Sequence, residues 1–313
     1  MRISRLTIQI LSCLALLAPA AAQAGTAARM CDFDGDGKAD PTIARVAGGN
    51  LQWWVLRSQD GPMVFTWGLA SDLVAGRVMC GDFDGDNKAD ATIWRSGAQG
   101  AFWVLRSTDG AALNIPFGLP GDNPRVINDF DNDGIDDVAI FRDSTGQFWI
   151  HPSTSPAGQY TVIKWGQSGD FPHSGDFDGD GLADVHVQRG SQNWIRNSSG
   201  GSAVAIFGLG TDFLTVQEFT GDLRDDIVAM RGASWFVRNT ATGAISPYGF
   251  TWGPASGRIL VPADYDGDGD ADIAVYVTAT GQWWVKRSSD AGVNIINWGG
   301  VGGDLAVNGF AVN

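Results

Sequence analysis

The stretch DFDGDGKAD, residues 32–40, sets aspartates at positions 1, 3, 5 and 9 of a nine-residue segment. Four near copies follow: DFDGDNKAD from Asp82, DFDNDGIDD from Asp129, DFDGDGLAD from Asp176 and DYDGDGDAD from Asp264. A degraded sixth copy, EFTGDLRDD, starts at Glu218. Successive starts are 50, 47, 47, 42 and 46 residues apart. A period in the forties marks a propeller or a solenoid, because one such unit cannot bury its own faces.

Outward from each loop the unit repeats too. A short apolar run follows (ATIWR at 91–95, VAIFR at 138–142, IAVYV at 273–277), then a Gly/Ser/Asn turn and a second run rich in tryptophan (LQWWVLRS, AFWVLRS, QFWIHPS, QNWIRNS, SWFVRN, QWWVKRS). A third run ends in an aromatic-glycine pair, at Trp67, Phe117, Trp165, Phe207, Trp252 and Trp298, and a last short run leads into the next loop. Four runs rich in Val, Ile, Trp and Phe, separated by polar turns, predict four β-strands per unit. Six such units predict an all-β propeller of six four-stranded blades, with seven blades, the last incomplete, as the alternative. The segment GGDLAVNGFAVN (302–313) copies a lead-in run and stops where a loop would begin, so it is expected to lie as a stub across the seam. ARMC (28–31) is expected to supply the inner run of the first blade. Trp54, Trp103, Trp149, Trp194, Trp235 and Trp284 are read as one aligned position that fills the space between blades.

Hard carboxylate oxygens gathered in one tight loop suit Ca²⁺, which accepts six to eight oxygens at flexible geometry. The motif holds no His or Cys, which argues against zinc or copper. Position 6 must turn with positive φ, and it is Gly37, Gly134, Gly181 and Gly269, with the tolerant Asn87 in the second copy. An EF-hand is excluded, since its bidentate acid at position 12 is replaced by Ile43, Ile93, Ile140, Val187 and Val275. In the degraded copy Glu218, Thr220 and Leu223 alter two ligands and the turn. A weak or absent site is expected there, with Arg224 neutralising the remaining acids.

These loops, the strand after each and the aromatic-glycine segments resemble the FG-GAP/VCBS repeat family, the calcium-loop blades of integrin-α-like propellers and of bacterial exported proteins. The resemblance covers residues 28–313. It implies a calcium-binding propeller whose metal ligands here are Asp32, Asp34, Asp36 and Asp40; Asp82, Asp84, Asp86 and Asp90; Asp129, Asp131, Asp133 and Asp137; Asp176, Asp178, Asp180 and Asp184; and Asp264, Asp266, Asp268 and Asp272. It does not imply one activity, because propellers host many.

The N-terminus reads as a secretory signal: Arg2 and Arg5, an apolar run to Leu17, and a small-residue end at Ala22-Gln23-Ala24. Cleavage after Ala24 would leave a single propeller domain, 25–313, secreted or at the cell surface, with no other segment able to span a membrane. Against 21 Lys and Arg stand 35 Asp and Glu, a net charge of −14, which disfavours nucleic acid and anionic membranes as partners. In an export compartment Cys31 and Cys80 could pair; the alternative is two buried thiols.

Identical chemistry in five blades suits a scaffold, so the calcium is expected to be structural. A binding or adhesion module for a glycan or an extracellular protein, acting as a monomer through the face opposite the loops, is the leading expectation. The position before the strand-ending arginine varies (Ala44, Trp94, Phe141, Gln188, Met230, Tyr276), and its aromatics are either packed in the outer strands, the favoured reading, or free to stack on sugars. A calcium-dependent polysaccharide lyase is the alternative, but His151, His173 and His186 read as single residues in separate repeats, none with a paired acid, and no enzyme is expected. A third reading is a structural component of a surface assembly.

Overall fold

The computed structural model describes residues 30–74, 76–254, 256–307 and 310–312; the expected signal segment lies outside them. The chain folds into six antiparallel sheets arranged as propeller blades. From the axis outward, blade 1 is Leu305–Ala306, Thr42–Ala47, Asn50–Arg57 and Gly61–Leu69; blade 2 is Val78–Gly81, Asp90–Arg95, Ala101–Leu105 and Ala112–Pro116. Blade 3 has Val138–Arg142, Gln147–His151 and Thr161–Lys164, its inner strand reduced to bridges at Asn123 and Asn128. Blade 4 is Phe171–Gly175, Asp184–Arg189, Gln192–Arg196 and Ser202–Ile206; blade 5 is Phe213–Gln217, Asp226–Arg231, Ser234–Arg238 and Ile245–Thr251. Blade 6 is Arg258–Leu260, Ile273–Val277, Gln282–Lys286 and Val293–Asn297.

Burial explains the composition of each strand. The strand after each loop is buried on both faces, as in Val138–Phe141, which is why it reads as an unbroken apolar run. The next strand buries alternate residues, and the outermost strand is largely exposed. Along the second strand the fully buried residue is Trp53, Phe102, Phe148, Asn193, Trp235 or Trp283. The residue after it is half-buried and faces the arginine that ends the preceding strand.

This register corrects one alignment. Phe236, not Trp235, is the counterpart of Trp54, Trp103, Trp149, Trp194 and Trp284, because Ala229 pairs with Phe236 as Val187 pairs with Trp194. Counting back from Arg238 and Arg196 gives the same result. The variable position is packed and not open to sugars: Ala44, Trp94, Phe141, Met230 and Tyr276 are at most 2 % exposed, in the strand after each loop rather than at the outer edge. Each sits across the strand pair from the buried aromatic, Ala44 opposite Trp53, Phe141 opposite Phe148 and Tyr276 opposite Trp283. Gln188 faces Asn193 in the same way. The variation between blades is therefore compensation within a packed core, where facing residues share one volume.

Ring closure also differs from the expectation. The C-terminal segment, not the N-terminal one, supplies the inner strand of blade 1: Ala306 pairs with Ile43 and Leu305 with Ala44, while Val307 N–H donates to Thr42 O at 2.9 Å. Phe310–Val312 then runs beside Arg258–Leu260 as a fifth strand on blade 6. The tail thus joins the last blade to the first. Met30 and Cys31 form a turn, and a Cys31–Cys80 disulfide, Cα atoms 5.2 Å apart, fastens it to the inner strand of blade 2.

A second set of contacts links every blade to the next. The position-8 amide of each loop donates to the position-1 carbonyl of the preceding loop: Ala89 to Asp32, Asp136 to Asp82, Ala183 to Asp129, Asp225 to Asp176, Ala271 to Glu218 and Ala39 to Asp264, all at 2.6–2.8 Å. On the opposite face, five arginines at strand ends make bidentate ion pairs with aspartates of the preceding interblade connection: Arg45–Asp304, Arg95–Asp72, Arg142–Asp122, Arg189–Asp170 and Arg231–Asp212. The motif was legible as glycine followed four or five residues later by aspartate, but the sequence reading did not single it out. At the blade 5–6 joint the pair is missing, and buried Arg258 instead donates to the carbonyls of Pro254 and Gly232.

Truncating the chain after Gly303 removes both the closing strand and Asp304. In thermal melts followed by circular dichroism this variant is expected to lose more than Cys31→Ser. For that disulfide a 49-residue loop gives a loss of about 4 kcal/mol. A truncated chain that melts like the intact one would show that the tail does not close the ring.

Candidate functional site

The nine-residue loop is built by its own carboxylates. At position 1, one oxygen accepts the N–H of position 4 and the other that of position 6; for Asp32 these are Gly35 at 2.7 Å and Gly37 at 2.8 Å, and the full copies repeat the pair. Position 6 takes positive φ throughout, 87° at Gly37 and 63° at Asn87. At position 9, Oδ2 accepts the N–H of position 2 and Oδ1 accepts an N–H from the hairpin between the second and third strands: Ser58, Ser107, Ser153, Ser198, Thr240 and Ser288 in the six blades. Asp40, Asp90, Asp137, Asp184 and Asp272 therefore pin the hairpin onto the loop.

Positions 3 and 5 complete a different task. Asp34 Oδ2 accepts the N–H groups of Gln59 and Asp60, but its Oδ1 is buried with no hydrogen-bond partner. The same orphaned Oδ1 recurs at Asp84, Asp131, Asp178 and Asp266, the position-3 residue of every full copy. The position-5 residues Asp36, Asp86, Asp133, Asp180 and Asp268 accept the hydroxyls of Ser58, Ser107, Ser153, Ser198 and Ser288. These serines end the second strand in each blade and were not singled out from the sequence.

Carboxylate oxygens from three residues converge within 4.8 Å in five places: Asp32, Asp34 and Asp36; Asp82, Asp84 and Asp86; Asp129, Asp131 and Asp137; Asp176, Asp178 and Asp180; and Asp264, Asp266 and Asp272. Burial, with neighbouring carboxylates adding to it, raises Asp40 to about 8, Asp137 and Asp272 to about 7, and Asp90 and Asp184 to about 6. Crowded acids with a buried, unpartnered oxygen fit a hard cation, which would satisfy the orphan and offset the repulsion. Each cluster could hold such a metal ion.

The sixth loop meets its acids with a side-chain amide. Glu218 keeps the position-1 role, accepting N–H groups from Gly221 and Arg224. Thr220 stands at position 3, so there is no orphaned carboxylate oxygen, and the hairpin residue is Asn239 instead of serine. Its Nδ2 donates to Thr220 Oγ1 at 2.7 Å and to Asp222 Oδ2 at 2.6 Å. The expectation for Arg224 is thus corrected: its side chain lies against Gly179 of the preceding loop, and an amide N–H₂ from Asn239 meets the acid in its place. Leu223 holds the left-handed turn at φ 66°, a strained choice for a branched residue.

A second feature lies between the outer edges of blades 2 and 3. There a cleft of 680 Å³ is lined by Phe117, Trp149, His151 and Tyr160. Tyr160 comes from the hairpin at 152–160, the longest of its kind, and its ring lies 5.0 Å from Trp149 and 6.4 Å from Phe117. His151 is 5.9 Å from Phe117, and its Nδ1 is buried with no hydrogen-bond partner. The aromatic-glycine residues Trp165, Trp252 and Trp298 bridge to the next blade by donating to the carbonyls of Trp194, Trp284 and Trp54. Phe117 has no N–H to donate, so this joint lacks the bridge. Of the other histidines, His173 and His186 are cross-strand partners within blade 4, with rings 5.1 Å apart, and not members of separate repeats.

Calcium titrated into EDTA-treated protein is expected to bind at five sites, one per cluster. Asp84→Asn should weaken one of them, and the combined change Thr220→Asp, Leu223→Gly and Asn239→Ser should create a sixth. Equal stoichiometry in all three proteins, measured by elemental analysis, would overturn this assignment.

Comparison with known proteins agrees with the architecture. A family model described as an FG-GAP-like repeat matches residues 129–187, the blade 3 loop through the first strand after the blade 4 loop. No curated protein matches the sequence. Among solved structures, an Agrocybe aegerita lectin described as recognising non-reducing terminal N-acetylglucosamine aligns at TM-score 0.59 and 17% identity, over 89% of this chain and 84% of its own. A chain of a nidogen/laminin complex aligns at 0.52 and 10% identity, over 82% and 93%. Virginiamycin B lyase from Staphylococcus aureus aligns at 0.50 and 11% identity, over 85% and 87%. At these identities the likeness is one of fold. With the same loop opening all six blades, the chain is a β-propeller, and residues 129–187 of it match an FG-GAP-like repeat.

Proposed function

We propose that this protein is a calcium-stabilised extracellular binding module that takes a glycan in the cleft between blades 2 and 3. The observation that carries the reading is the aromatic wall of that cleft, Phe117, Trp149 and Tyr160, with His151 beside it offering an unused polar atom. Flat apolar rings interrupted by a few placed polar groups are the chemistry that holds a sugar ring, whose CH faces pack on π surfaces while its hydroxyls seek partners. The cleft runs along the blade edges, whereas the sequence reading favoured the face opposite the loops. A lectin among the structural neighbours supports the compatibility of this fold with sugar recognition.

Calcium enters as scaffold. All five clusters lie in the loop belt, and extracellular calcium modules bind at about 10⁻⁴ to 10⁻³ M. At roughly 1 mM calcium a site of about 0.1 mM adds about 1.4 kcal/mol of stability. The disulfide is compatible with an oxidising, extracellular setting, and among the described residues no helix is long and apolar enough to cross a membrane. The module acts as a monomer.

A glycan array with calcium-loaded protein is the test. Binding to at least one glycan class is expected, and Trp149→Ala and Tyr160→Ala should each weaken it about tenfold or more while leaving the melting temperature near the parent's. No bound glycan, or a bound glycan indifferent to both changes, would overturn the reading.

A further inference from the structure

The hairpin that carries Tyr160 begins on an acidic cluster. It joins the second and third strands of blade 3 with nine residues, 152–160, where the other blades use three to six. At its start Ser153 N–H donates to Asp137 Oδ1 at 2.6 Å, and the hydroxyls of Ser153 and Thr154 donate to Asp133 and Asp131. Two turns carry the chain on from there, Ser155 N–H to Pro152 O and Gln159 N–H to Pro156 O, both at 3.0 Å. Pro152 and Pro156 each fix φ near about −65°, so a shift at Ser153 is passed along the hairpin rather than absorbed. Tyr160 itself is 51 % exposed. Its place is therefore set by its contacts with Trp149 and Phe117 and by the anchor at the other end of the hairpin, not by burial. The acidic loops also reach the cleft directly: Phe83 from the blade 2 loop, Asp136 from the blade 3 loop and the anchor residue Ser153 all border it.

Asp129, Asp131 and Asp137 crowd within 4.8 Å, and Asp131 Oδ1 is buried without a partner. Left uncompensated, these acids relieve their repulsion by separating or taking up protons, and Ser153 and Thr154 are bonded to the groups that would move. We propose that the blade 3 cluster controls the aromatic cleft: calcium held there fixes Ser153 and Thr154, and through them seats Tyr160 against Trp149. The consequence for ligand binding rests on the glycan reading of the cleft, whereas the coupling between cluster and hairpin does not. By linkage, a ligand that favours the seated cleft tightens calcium at this one cluster by the same factor. Four clusters then act as scaffold alone, and the fifth also regulates.

Hydrogen exchange resolved to single amides, on the calcium-saturated, disulfide-intact chain, tests the coupling with calcium as the only probe. Asp131→Asn is expected to lose one calcium ion and to quicken exchange at Ser153, Ser155 and Gln159 about tenfold. Asp266→Asn, in the blade 6 cluster, should also lose one ion but leave those three amides at the parent's rate. Ser153→Ala combined with Thr154→Ala should keep all five ions and still quicken Ser155 and Gln159, which separates the tie from the ion. Circular dichroism melts confirm that each variant is folded. On the glycan array Asp131→Asn and the double variant should each bind about tenfold more weakly than the parent. Exchange indifferent to Asp131→Asn, exchange quickened equally by Asp266→Asn, or array binding unchanged in both cleft-side variants would overturn the proposal. A parent that binds no glycan while the exchange pattern holds would support the coupling and overturn the glycan reading alone.

Discussion

The structure depends on one interaction repeated around a circle: the amide at position 8 of each acidic loop donating to the carbonyl at position 1 of the loop before it. Blades meet through side chains that differ from joint to joint, but this backbone bond is the same in all six. It requires the loop to hold a fixed shape. Positions 1 and 9 provide that shape by spending their carboxylate oxygens on backbone N–H groups, which leaves buried negative charge and one unpartnered oxygen in each full copy. A cation in each full loop would offset that charge and meet the unpartnered oxygen, and much of the acidity of the chain is concentrated in these loops.

The sixth loop clarifies what an ion in the other five would contribute. With Thr220 for aspartate and Asn239 for serine, neutral donors take over where a cation would sit, and the belt bond from Ala271 to Glu218 is still made at 2.7 Å. The geometry is thus set by the hydrogen bonds, and the charge only has to be compensated. A bound cation would be one way of doing so and the asparagine amide is another; the same loop also holds Leu223 at positive φ.

Much of this was legible in the sequence because it is periodic. The loop, the four runs and the aromatic-glycine pairs recur six times, so any misreading of one copy is checked by the others. What failed was what periodicity cannot reveal. Trp235 was misaligned because SWFVRN has two adjacent aromatics, and only cross-strand pairing decides which faces the core. Tyr276 and Phe141 looked like a variable surface because one strand, taken alone, does not show that Trp283 and Phe148 vary against them. The tail was read as a stub because nothing local tells Leu305 that its partner is Ala44, some 260 residues earlier. The cleft arises from departures from the repeat, Phe117, His151 and Tyr160, and a single departure carries no pattern of its own.

Amide hydrogen exchange at the position-8 residues Ala39, Ala89, Asp136, Ala183, Asp225 and Ala271, with calcium and after chelation, tests the central claim most directly. The account expects all six amides to be among the slowest in the calcium-loaded protein and to lose protection together once calcium is removed, including Ala271, whose acceptor belongs to the loop without a cluster. Protection that survives chelation, or is lost in only one blade, would contradict it.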